Sequence, residues 1–90
     1  MTNEDPRAEA DELRSQADAV DSFESLESLE EAASLYERAG MEYMKCECVR
    51  DGRCCSGWAQ LLRGLALMER NLVVDAAKMF KSASQVLSSA

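Results

Sequence analysis

Four cysteines fall within ten consecutive positions, in the stretch KCECVRDGRCC from Lys45 to Cys55, and the other 80 residues contain none. Thiolates are both nucleophiles and soft metal ligands, so three chemistries are open here. Cys46, Cys48, Cys54 and Cys55 could complete a tetrahedral zinc shell. One residue between the first pair is short for a zinc knuckle, however, and adjacent Cys54 and Cys55 would point about 100° apart on a helix. A Cys48–Cys54 disulfide, symmetric about Asp51, would close a short loop and stabilise by about 2 kcal/mol on a chain-entropy view. The third reading is free thiols packed as small hydrophobes at helix ends, with Lys45, Arg50, Arg53 and a helix start activating Cys54. The spacing favours free thiols and no bound cofactor.

The rest of the chain offers little catalytic equipment. It contains no histidine, which removes the commonest general base and metal ligand together. No GxGxxG, GxxxxGK[ST] or GxSxG string occurs. An enzyme is therefore not expected. Seventeen acidic against ten basic side chains give a net charge of -7, which repels phosphate backbones and anionic lipid, so no nucleic acid partner is expected. Apolar runs such as Leu65 to Met68 are far too short to insert into a membrane. The acidic N-terminal stretch has no apolar segment of the kind a signal peptide needs. A cytoplasmic location follows, where free thiols persist.

The elements that must position these residues are helical. Apolar side chains recur at helical spacing in four segments, no segment alternates, and Pro6 is the only proline. A single domain over 1–90 is expected, with a flexible N-terminus at 1–5 and helical hairpins at 6–48 and 54–88. Asp5 would cap a first helix opened by Pro6 and carrying the stripe Ala10, Leu13, Ala17, Val20. After a serine-rich linker, Ser28 and Glu31 form a capping box before Leu29, Ala32, Ala33, Tyr36, Ala39 and Tyr43. Asp51-Gly52 reads as the turn. A third helix follows from about Cys54 to Arg70, facing inward with Trp58, Leu61, Leu62, Leu65 and Met68. Asn71 breaks it and caps a fourth, whose face is Val73, Ala76, Ala77, Phe80, Ala83 and Leu87. Short connections make neighbours antiparallel. The fold class is all-α, four helices as two hairpins, with a four-helix bundle as the alternative.

The second and fourth helices repeat each other. Ala32, Ala33, Tyr36, Ala39 and Tyr43 stand 44 residues before Ala76, Ala77, Phe80, Ala83 and Leu87. Small residues beside an aromatic let helices approach closely while the ring fills the gap. The spacing of Gly64, Leu67, Ala76, Phe80 and Ala83 resembles the tetratricopeptide repeat. The period exceeds the roughly 34 residues of that family, and AASLYERAG is similar to runs in its longer-period relatives, the soluble attachment proteins of the membrane-fusion ATPase.

That resemblance implies an adaptor or assembly subunit that binds a protein or peptide on a concave face. First helices build such faces, which would offer Arg14, Gln60, Arg63 and Arg70, the arginines suited to forked bonds with an acidic terminus. In the last helix Met79, Val86 and Val74 would form an uncovered flank through which the chain self-associates. Trp58 reads first as core and second as an exposed binding anchor, and Met41, Met44, Met68 and Met79 read first as packing fillers and second as an adaptable binding surface. The competing function is a small metal or redox protein built on the cysteine turn.

Overall fold

A computed structural model describes residues 6–20 and 24–89. The expected flexible segment 1–5 and the Asp5 cap lie outside the described residues. Four helices account for nearly all the rest: α1 (Pro6–Ala19), α2 (Leu26–Lys45), α3 (Val49–Glu69) and α4 (Val73–Ser88).

The boundaries correct the sequence reading at three places. The cap of α2 is Ser25, whose Oγ accepts the Ser28 N–H at 3.1 Å, so the helix begins one turn before the Ser28–Glu31 box. Asp51-Gly52 is no turn at all, because both residues lie in the first turn of α3. The chain instead reverses at Cys46, Glu47 and Cys48, with Glu47 in the left-handed region at φ 62°. The Glu47 N–H donates to the Met44 carbonyl at 3.1 Å and the Cys48 N–H to the Tyr43 carbonyl at 2.9 Å. This paired closure is the Schellman motif, which satisfies the last carbonyls of a helix. Asn71 takes the same role rather than capping α4. Its φ is also 62°, with Asn71 N–H to Met68 O and Leu72 N–H to Leu67 O both at 2.9 Å. One turn design is thus used twice.

Glycine goes where helices touch. All four are helical, and none has positive φ. A Cβ on Gly40 would stand 3.1 Å from the Gly52 carbonyl oxygen, so α2 and α3 cross backbone to backbone there. On Gly64 it would meet the Phe80 ring at 2.7 Å, and on Gly57 the Leu87 side chain at 2.6 Å, which sets α4 against α3. Gly52 resembles a turn residue in sequence because it follows Asp51, yet packing selects it.

The helices pack in chain order, α1 on α2, α2 on α3 and α3 on α4. Ala10 and Leu13 of α1, Ala39 and Tyr43 of α2 and Cys55 of α3 make one core cluster; Leu29, Ala32, Ala33, Leu62 and Ala66 make another. Tyr36 and Tyr43 donate hydrogen bonds to Asp18 and Asp11, tying α2 antiparallel to α1. Their counterparts 44 residues on, Phe80 and Leu87, cover Gly64 and Gly57, so equivalent positions of α2 and α4 face the first helix of their own hairpin. The Cα extents of 50 × 27 × 12 Å describe a slab. A four-helix bundle would also pack its first helix along its last, and α1 does not run along α4. The two-hairpin architecture holds.

The apolar faces of α1 and α2 are as expected; α3 and α4 differ. Trp58 is not core: it is 43% exposed and stacks on Tyr36 with ring centroids 6.5 Å apart. Met68, Val73 and Ala77 also face outward. Periodicity alone marked them as apolar, and the described helices leave each of them open to solvent. Among the described residues, no helix is long and apolar enough to cross a membrane.

Candidate interaction groove

Along one face of α3, residues Gly52, Ser56, Gln60, Arg63, Leu67 and Arg70 succeed one another at three- and four-residue steps, a single helical row. The flanking walls are α2 and α4. Two hollows follow this row. The first, about 470 Å³, is lined by Gly40, Met41 and Met44 of α2, Gly52 and Ser56 of α3 and Val86 of α4. The second, about 410 Å³, is lined by Glu30 and Ser34, then Arg63, Leu67 and Arg70, then Met79. The close Gly40–Gly52 crossing shapes the first hollow: without side chains between the backbones, Met41 and Met44 stay at the rim, both exposed.

Glutamates of α2 hold the arginines of the floor. Arg63 pairs with Glu37 at 3.0 Å, and Arg70 with Glu30. Glu30 and Glu37 stand one heptad apart, as do Arg63 and Arg70, so two antiparallel helices bring them into two rungs of one ladder. Partly exposed pairs of this kind contribute about 0–1 kcal/mol each and chiefly fix register. Between the hollows, Gln60 Oε1 and Arg63 Nε are buried and have no hydrogen-bond partner among the described residues. Unmade bonds of this sort cost about 1–3 kcal/mol each.

Of the residues expected at a partner surface, Arg63, Arg70, Met79 and Val86 line this groove, and Gln60 falls between the two hollows along the α3 row without lining either. Arg14 does not join them; it reaches Asp51 at 3.7 Å from the α1 side. Val74, 71% exposed, lies apart at the start of α4. Met79 and Val86 are half-buried in the groove rather than on an outer flank. Met41 and Met44, which read first as packing fillers, line the first hollow, and the places of Glu30 and Glu37 beside the arginines were missed. The heptad match of the two acidic and two basic residues was the available signal.

The cysteines separate into two environments. Cys55 is 1% exposed in the core, and burial pushes its thiol up to about 11. Cys54 lies in the second turn of α3, past the free N–H groups that were expected to activate it. Cys46 and Cys48 share the turn, with their sulfurs 3.2 Å apart. The alternative of a Cys48–Cys54 disulfide about a turn at Asp51 loses its basis, since Asp51 is helical and all four thiols are free. No group of three or more ligand side chains is placed to hold a metal ion among the described residues. The cation beside the thiols comes from α1, not from the turn. Arg7 Nη1 stands 4.0 Å from Cys48 Sγ, while Lys45 pairs with Glu42 at 3.1 Å and Arg53 reaches the Ser89 carbonyl. The Cys48 thiol is held above its ordinary value, chiefly by the hydrogen bond with Cys46 and then by desolvation, with Arg7 opposing.

The chain matches no family model, no curated protein and no solved structure.

Proposed function

We propose that the chain is a protein-interaction module, TPR-like in layout, that binds an amphipathic segment of a partner protein in the groove over α3. The observation that carries this reading is the row of apolar side chains and ion-paired arginines along two adjoining hollows: Met41, Met44, Val86 and Met79 with Arg63 and Arg70. An amphipathic segment would lay its apolar face on the methionine rim and its polar face against the half-exposed Arg63–Glu37 and Arg70–Glu30 pairs. Methionines suit such a rim because their thioethers adapt to differently shaped apolar faces. The equivalence of Tyr36 with Phe80 and of Tyr43 with Leu87 in the two hairpins supports the repeat layout, in which binding follows from the shape of the array. The function is binding rather than catalysis.

Selection of displayed peptides against the full chain tests this. Enriched peptides are expected to bind at least about tenfold more weakly to Met41→Glu and Met44→Glu, a loss of about 1.4 kcal/mol. Both positions are exposed, so the variants fold. Glu12→Lys, on the exposed side of α1, is the control and should bind normally. Enrichment of no peptide, or peptides that ignore both methionine changes, would overturn the assignment.

A further inference from the structure

We propose that Cys46 and Cys48 form a dithiol site that exchanges reversibly with a low-molecular-weight disulfide, closing a Cys46–Cys48 bond within the α2–α3 turn. The pairing is built by the backbone. Cys46 ends α2 and Cys48 precedes α3, and the left-handed Glu47 between them turns both side chains to one side. Their sulfurs lie 3.2 Å apart, and the Cys46 thiol also lies 3.3 Å from the Tyr43 carbonyl. Both residues are half-buried, which leaves a face open to a small disulfide while the other face packs against the core of Ala10, Leu13 and Tyr43. Arg7, 4.0 Å from Cys48 Sγ, partly offsets the Cys46 hydrogen bond and the desolvation that hold the Cys48 thiol above its ordinary value.

The exchange has two displacements. One thiolate attacks a sulfur of the incoming disulfide, forms a mixed disulfide and expels the first small thiolate, which takes up a proton. The neighbouring thiolate then attacks the protein sulfur of that mixed disulfide. This closes the Cys46–Cys48 bond and expels the second small thiol. Two protein thiols lose two electrons and two protons, and the small disulfide is reduced to two thiols. Because the second nucleophile is already within 3.2 Å, the mixed disulfide is short-lived. A ring closed over three residues adds little chain-entropy stabilisation, so the bond is readily reduced again and the site is reversible rather than a staple.

The sequence supplies a clean assay. Trypsin cuts after Lys45, Arg50, Arg53 and Arg63, which places Cys46 and Cys48 in the peptide 46–50 and Cys54 and Cys55 in the peptide 54–63. The full chain is equilibrated with mixtures of reduced and oxidised glutathione, alkylated at acid pH, digested and mapped by mass. Peptide 46–50 is expected to lose two hydrogens as oxidised glutathione increases, to regain them under reduced glutathione, and to carry no glutathione. Cys46→Ser and Cys48→Ser should each stop at a stable adduct of one glutathione on the remaining thiol. A bond linking peptide 46–50 to 54–63, a persistent glutathione adduct on the wild-type peptide, or full reduction even in oxidised glutathione alone would each overturn the proposal.

Discussion

The only two tyrosines both hold α1 to α2, and both are phenols with unusually weak acidity. Tyr36 and Tyr43 are each pushed up to about 12, first by desolvation and then by the hydrogen bonds they donate to Asp18 and Asp11; Arg14 opposes in both cases. A folded-state value above the unfolded value of about 10 means that the folded chain holds these protons more tightly. The resulting stabilisation is complete below about pH 10 and is lost as pH rises towards 12. Phenolate absorbance should therefore show no step near pH 10 in the folded protein, whereas in denaturant both groups titrate there. A normal titration of the folded chain would contradict the hydrogen bonds. Replacing Tyr43 with Phe should cost about 1.5 kcal/mol in urea unfolding, the lower end for a bond to a charged group, because Asp11 can be rehydrated. Tyr36→Phe should cost less, since Tyr43 is only 2% exposed and Tyr36 is more open. The tyrosines were legible in sequence as a buried stripe. Their aspartate partners were not, although Asp11 and Asp18 share the heptad spacing of Tyr36 and Tyr43.

At the level of elements, the chain places glycine at crossings and leaves the α2–α3 and α3–α4 turns to Glu47 and Asn71. A left-handed backbone costs a residue with a Cβ roughly 1–2 kcal/mol, and less for asparagine. Glu47→Gly is expected to raise the unfolding free energy by about 1 kcal/mol, with a smaller gain for Asn71→Gly. Loss of stability at Glu47→Gly would mean that the turn is closed differently. Gly40→Val should act in the opposite direction, costing about 2–3 kcal/mol by forcing α2 off the Gly52 carbonyl. No change there would remove the close crossing. Helix number and the faces of α1 and α2 were readable because a 3.6-residue period survives wherever one side of a helix is covered. Asp51-Gly52 misled because a packing glycine and a turning glycine look alike in one sequence. Trp58 and Val73 misled because periodicity marks an apolar position without showing whether a neighbour covers it.

Across the whole molecule, serial packing leaves α4 with one neighbouring helix where α2 has two. Val73 and Val74 are 59% and 71% exposed beside Leu72, an apolar patch at one end of the slab. A second copy docking on this patch would bury it. Sedimentation should then show weak, concentration-dependent association that Val74→Lys suppresses; a monomer at every concentration would count against it. The groove over α3 is a different surface. Arg63 and Arg70, singled out in the sequence as residues of a first helix in a hairpin, lie along its second hollow. Its walls depend on how close α2 and α4 come, which the contacts at Gly40, Gly52, Gly57 and Gly64 decide. The most direct test of partner binding is to titrate the tightest selected peptide into isotopically labelled protein and follow backbone amide shifts. Changes should concentrate at Gly40, Met44, Gly52, Ser56, Gln60 and Arg63, with α1 unmoved. Shifts centred on Arg7 and Arg14, or on Val73 and Val74, would place the binding surface elsewhere and contradict the groove.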